Sequence, residues 1–219
     1  MKAASASADS HSKSFLRNAD ISAGIFAQLG HATSNSVTHQ TTSLSAGALF
    51  SFHQSYHWWL GYDVNYGYTS FSEQYRDGVY GVGCPASVTP GPCGSFGYAN
   101  VHTGMHELTA AYLVSAPVHP LGLRPYGEAG VGELIFSPTN TTVTFSNAPE
   151  SPLAVSTQHR IAALYGAGFN APILTSHLGA RFEYRNLWYT APSFGNHGAL
   201  DSTRAMLTQE PVASVYFKF

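Results

Sequence analysis

Apolar side chains recur at every second position in eight separate stretches of this 219-residue chain. A period of two is the mark of a strand with one apolar face. The pattern is clearest in the third stretch, where Trp58, Leu60, Tyr62, Val64, Tyr66 and Tyr68 share one face and Trp59, Gly61, Asp63, Asn65, Gly67 and Thr69 the other. The first offers Ile21, Ala23, Ile25, Ala27 and Leu29, and the second Leu44, Ala46, Ala48, Phe50 and Phe52. In the fourth, Leu108, Ala110, Tyr112 and Val114 oppose Glu107. The fifth, near Tyr126 to Phe136, sets Ala129 and Val131 against Glu128, Gly130 and Gly132. That phase leaves Glu133 on the apolar side unless it stands above an apolar layer or follows a bulge. The sixth sets Ile161, Ala163, Tyr165, Ala167 and Phe169 against Arg160, Gly166, Gly168 and Asn170. In the seventh, Leu178, Ala180, Phe182 and Tyr184 oppose Gly179, Arg181, Glu183 and Arg185, and the eighth carries Ala213, Val215, Phe217 and Phe219 on one face.

The connections alternate in length. After strands two, four and six they are short, at 53–57, 116–123 and 171–176. After strands one, three, five and seven they are long and rich in Gly, Pro, Ser, Thr and Asn, at 31–41, 73–100, 137–158 and 191–203. Short turns at one end and long loops at the other predict an all-β fold, an eight-stranded antiparallel up-and-down barrel over residues 19–219. Residues 1–18 read as a flexible periplasmic N-terminal segment, its Ser- and Ala-rich start either the remainder of a removed signal or an artificial start.

Alternation alone does not say which face is inside; composition does. Charged residues make up 10% of the chain and hydrophobic ones 44%, against about 25% charged in ordinary soluble domains. A water-facing coat of charge is therefore missing, yet no apolar run is long enough for a membrane-spanning helix. Glycine falls on the same face as Asp63, Glu128, Arg181 and Glu183, and a narrow barrel needs small residues where long charged side chains must fit inside. The polar face is thus the interior, and the apolar face meets lipid in a transmembrane β-barrel of the bacterial outer membrane. From Trp58 to Tyr68 a strand rises about 33 Å, which a tilt of about 40° projects to roughly 25 Å, the height of the apolar band. Trp58, Tyr66 and Tyr68 then form part of an aromatic girdle. A net charge of −2 gives a nucleic-acid partner no electrostatic support.

The ending Glu210-Pro211-Val212-Ala213-Ser214-Val215-Tyr216-Phe217-Lys218-Phe219 and the segment Arg124-Pro125-Tyr126-Gly127-Glu128-Ala129-Gly130-Val131-Gly132 resemble small outer-membrane barrels of the OmpA/OmpX type. The resemblance covers about residues 20 to 219. It implies a final strand, Val215, Phe217 and Phe219, that the barrel-insertion machinery reads, and outer-membrane lipid as surroundings. It also implies a monomer whose long loops could take an extracellular ligand. A periplasmic peptidoglycan-binding domain, as some such barrels carry, is not implied.

Candidate chemistry is sparse. Some small outer-membrane barrels are enzymes that carry a His-x-Ser pair on a late strand. Here Gly195-Asn196-His197-Gly198-Ala199 has Ala in the Ser position, and Asp201 and Ser202 lie beyond it. Nucleophile, base and orienter are not assembled, so an enzyme is not expected. Eleven histidines raise a metal site, but His31 and His39, His53 and His57, and His102 and His106 are scattered without a compact ligand set, so neither metal nor cofactor is expected. Cys84 and Cys93 flank Pro- and Gly-rich sequence in one loop and are expected to form a disulfide in an oxidising compartment.

The sharpest constellation is the inward set Asp63, Glu107, Glu128, Arg160, Arg181, Glu183 and Arg185, with Lys218 beside it. Unpaired charges in a narrow interior cost several kcal/mol. The expectation is a salt-bridged plug, Arg181 and Arg185 matched by carboxylates such as Glu107, Glu128 and Glu183, in a structural or surface-interaction barrel. The alternatives are a narrow ion channel lined by the same groups and a lipid-modifying enzyme.

Overall fold

Each alternating stretch becomes a strand whose apolar side faces away from the barrel axis. The computed structural model describes residues 18–32, 44–77, 97–117, 123–145, 148–152, 155–173, 177–192 and 205–219. In chain order the strands are β1 (Ala19–Ala32), β2 (Ser45–Ser55), β3 (Leu60–Asp77), β4 (Gly97–Ser115), β5 (Arg124–Phe145), β6 (Ala148–Pro152), β7 (Gln158–Pro172), β8 (Leu178–Thr190) and β9 (Ala205–Lys218). They hydrogen-bond in the order β4-β3-β2-β1-β9-β8-β7-β5-β6, and β4 also pairs with β5. Eight strands therefore close a ring, while β6 is added to the far end of β5, at Thr142–Phe145. The first and last ring strands meet from Asp20 opposite Lys218 to Ala32 opposite Met206. A closed ring leaves no edge from which to unravel. Protein in mild detergent should accordingly migrate at different apparent sizes on a gel before and after boiling. Identical mobility, with folded protein soluble without detergent, would contradict the membrane barrel.

Burial follows the alternation. Ile21, Ile25, Phe50, Leu108, Tyr112, Val131, Ile161 and Val215 are exposed on the outer surface, whereas Asp63, Asn65, Glu107, Arg181 and Arg185 are buried inside. β5 keeps its phase from Tyr126 to Phe136, with Tyr126, Glu128, Leu134 and Phe136 buried and Ala129 and Val131 exposed. Glu133 follows no bulge; the register shift in this part of the sheet lies between His102 and Thr103 of β4. It stands on the outer face and accepts from His159 Nδ1 of β7 at 2.7 Å, so its polar group is matched on the same surface. Two further outer-face pairs lie nearby, Tyr66 with His106 and Ser72 with His102, both at 2.8 Å.

Three expectations need correction. Strand three starts at Leu60, so Trp58 sits in the turn before it. Residues 73–77 and 97–100 were expected in a loop and instead continue β3 and β4, which pair up to Asp77 opposite Gly97. Residues 137–145 likewise extend β5, and 148–152 form β6. Their Thr-, Asn- and Pro-rich sequence has no apolar period to read, and cross-strand pairing decides their conformation instead. At 22 residues and about 3.3 Å each, β5 climbs roughly 50 Å along a tilted wall, about twice the apolar band. β2 has 11 residues and β1 and β9 have 14 each, so among the described residues β3, β4, β5 and β6 rise above the ends of these strands.

Inside, bulky rings lie across from glycines. Phe26 is opposite Gly47, Tyr126 opposite Gly168 and Tyr216 opposite Gly179. A methyl group at any of the three glycines would collide with the facing ring.

Candidate functional site in the barrel interior

The inward positions change character along each strand. On β8, read from the short-turn end, they run Gly179, Arg181, Glu183, Arg185, Leu187 and Tyr189; on β5, Tyr126, Glu128, Gly130, Gly132, Leu134 and Phe136. Charge thus fills the periplasmic half and apolar side chains the extracellular half. The upper layer joins Phe71, Val101, Met105, Leu134, Phe136, Leu164, Leu187, Tyr189 and Met206, all buried. Phe136 packs edge-on to Phe71 at 6.4 Å and against Tyr189 at 5.8 Å. The interior, read as the polar face, is therefore apolar in its upper part, because inward positions above Arg185 carry Leu, Phe and Met.

Two arginines organise the lower half. Arg181 donates from Nη2 to Asp20 Oδ1 and from Nε to Asn170 Oδ1, each at 2.8 Å, and its guanidinium lies 5.6 Å from the Tyr216 ring centre. Arg185 donates from Nη2 to Glu107 Oε1 and stands 3.6 Å from Glu210 Oε2. Gln28 Nε2 donates to Glu210 Oε1 at 3.4 Å, and Ser45 Oγ to Gln28 Oε1 at 3.2 Å. Tyr126 OH donates to Glu183 Oε1.

The expected network is thus partly redrawn. Arg185 takes Glu107, with Glu210 beside it, and Arg181 takes Asp20 rather than Glu107, Glu128 or Glu183. Both carboxylate oxygens of Asp63 and both of Glu128 are buried without a hydrogen-bond partner among the described residues. Arg160 is on the inward face but above the charged layer, separated from it by Ala162 and Leu164. There it donates to Gln158 Oε1 at 2.8 Å and to the Ala191 carbonyl at 3.4 Å. Asp20 and Glu210 shared a strand parity with the inward set; adjacency to a strand start and to Pro211 hid them.

At the periplasmic mouth a cavity of about 540 Å³ is lined by Asp20, His53, Arg124, Asn170, Tyr216 and Lys218, among others. Trp58 borders it from the turn, while Tyr66 and Tyr68 lie on the outer surface toward the other end. Val215 and Phe217 are exposed outside, Phe217 lies edge-on to Phe219 at 5.7 Å, and the Phe219 amide donates to the Ala19 carbonyl. Cys84, Cys93, His39, His197, Asp201 and Ser202, and residues 1–17, lie outside the described residues.

No protein-family model and no curated protein matches the chain by sequence. Among solved structures, it is similar to the outer membrane protein OprG from Pseudomonas aeruginosa, at 13% identity and a TM-score of 0.49, over 94% of this chain and 97% of that one. It is also similar to Ail, the attachment invasion locus protein of Yersinia pestis, at 9% identity and a TM-score of 0.48, over 92% and 97%. Neisserial surface protein A aligns at 12% identity and a TM-score of 0.44, over 92% and 97%. At such identities and scores the weight rests on the barrel's own features. Among the described residues there is no helix, and a closed ring of eight strands that turns isoleucine, leucine and aromatic side chains outward and charge inward satisfies every backbone group in hydrocarbon without an edge; the chain is a small outer-membrane β-barrel protein.

Proposed function

We propose that this is a closed-lumen barrel that acts at the cell surface, structurally or by recognition, rather than by conducting ions. The observation that carries the reading is the apolar layer above Arg185. An ion crossing the lumen would have to shed water among Phe71, Met105, Phe136, Leu187 and Met206, each at most 8% exposed, and a dry apolar constriction is a barrier to ions. The uneven rim supports the surface role: β3, β4, β5 and β6 carry their hydrogen-bonded ladder well past the apolar band, where it meets only what lies outside the cell. The narrow-channel reading draws on the water-accessible mouth around Asp20 and Lys218, but that mouth reaches only the partners of Arg181, Asp20 and Asn170, and none of Asp63, Glu128, Glu183 or Arg185 lines it.

Refolded protein in planar bilayers should give no steady conductance. Phe136→Ala combined with Leu187→Ala, which empties the middle of the apolar layer, should give measurable current while the heat-dependent gel shift is retained. Steady conductance in the unaltered protein would overturn the closed lumen. For the surface role, cells carrying a barrel in which a short turn replaces residues 73–100 should lose adherence or autoaggregation relative to cells with the full chain at equal barrel levels. Equal behaviour would leave only the structural role.

A further inference from the structure

The interior is out of electrical balance. Six carboxylates, Asp20, Asp63, Glu107, Glu128, Glu183 and Glu210, are buried against two buried guanidiniums, Arg181 and Arg185, among the described residues. Arg181 is engaged by Asp20 and Arg185 by Glu107 and Glu210. Asp63, Glu128 and Glu183 remain as three acidic groups on three strands with no ion pair among the described residues. Carboxylate oxygens from the three lie within 4.8 Å of one another. Only Glu183 has a hydrogen bond, from Tyr126.

A second observation points the same way. Asn65, the next inward position after Asp63 on β3, is 1% exposed and its amide oxygen has no partner; Ser51 Oγ, cross-strand from Asn65, and Ser214 Oγ are likewise buried and unpartnered. Buried polar oxygens in folded proteins are almost always satisfied. Here charged and neutral oxygens without partners gather in one layer of the lumen. Oxygen donors alone, with no sulfur or imidazole in the group, suit a hard cation. Oxygens around one calcium ion, at about 2.4 Å each, stand at most about 4.8 Å apart, a bound the three carboxylates meet, and calcium accepts six or more protein oxygens where magnesium tends to keep its waters.

We propose that Asp63, Glu128 and Glu183 hold a hard divalent cation, calcium by preference, at the centre of the charged layer. The ion ties β3, β5 and β8 together across the lumen. The site goes beyond the surface role and does not depend on it. Glycine makes the room: a methyl group at Gly166 would run into Glu128 Oε1.

The test uses the full chain refolded in detergent free of lipopolysaccharide, with calcium, magnesium or a chelator present during folding so that entry is not limiting. Calcium should bind at about one equivalent per barrel by calorimetry and raise the temperature at which the gel shift is lost. Glu128→Gln and Asp63→Asn should each weaken binding at least tenfold and abolish the calcium-dependent rise, while Glu133→Gln on the outer face should leave both unchanged. Should Asp63→Asn fail to fold, Glu128→Gln carries the test, since that carboxylate gives up no hydrogen bond. No binding to the unaltered protein, with the same transition in calcium and chelator, would overturn the proposal and mean that the three carboxyls are held neutral by protons. Calcium binding that survives both interior substitutions would overturn it too, by placing the ion elsewhere.

Discussion

Arg185→Ala should lower the urea midpoint of the refolded barrel more than any other single charge removal in the interior. Its side chain is 0% exposed and stands between Glu107 at 1% and Glu210 at 0%, so its loss strands two carboxylates where water does not reach. Removing one member of a buried pair costs about 3 to 5 kcal/mol, mostly as the penalty of the charge left behind. Adding Glu107→Gln and Glu210→Gln to Arg185→Ala should therefore recover part of the loss, a coupling that independent sites would not show. Arg181→Ala should cost less, because its partner Asp20 lines the periplasmic cavity and can be solvated there. An unmoved midpoint in Arg185→Ala would mean that water already surrounds the group, and the closed lumen would fall with it.

Gly130→Ala should prevent closure of the barrel. A methyl group at Gly130 would overlap the carbonyl of Ala110 and approach the Cα of Ala111, both backbone atoms of β4 that cannot swing aside as a side chain would. Overpacking costs about 1 to 3 kcal/mol and occasionally more, and contacts with backbone that cannot yield lie at the upper end. Gly127→Ala, three residues earlier on the same strand, meets only the Gly166 carbonyl at 3.8 Å and should fold like the unaltered protein. The fraction of protein showing the gel shift after refolding measures both, and equal yields would refute the close approach of β4 and β5.

The sequence made the lipid face legible because its chemistry repeats with the pleat. Ile161, Ala163 and Tyr165 announce their side of β7 without help from any other strand, and even Glu133 keeps the phase of β5. Strand length was less legible. Above the membrane both faces of a strand meet water, so Asn140 to Thr142 carry no alternation, and pairing with β4, joined at Thr142 by β6, holds them in β5. The interior was legible in membership but not in pairing. Parity puts Arg181, Asp20 and Glu183 on one face of their strands, yet which carboxylate an arginine reaches depends on the stagger between strands, a property of the closed ring. The same stagger leaves Asp63 and Glu128 without an ion pair to either arginine. The apolar upper layer was open to the same parity reading, through Leu134, Phe136 and Leu187, whose inward parity matches that of the charges below them.

The ring-on-glycine pairs bear on how the chain avoids assembling wrongly. Sliding one strand by a single residue turns its apolar face into the lumen and is penalised at once. Sliding by two keeps every outward residue outward, so lipid cannot detect the mistake. The rings can. A two-residue slip between β1 and β2 sets Phe26 against Leu49 or Ser45 instead of Gly47, and one between β8 and β9 sets Tyr216 against Arg181 or His177 instead of Gly179. Between β5 and β7, one direction brings Tyr126 onto Asn170; the other finds Gly166 but drives Glu128 onto Leu164. The lumen thus supplies the check on alignment that the membrane-facing surface lacks, and a barrel stripped of these glycines should insert at the right depth with its strands out of step.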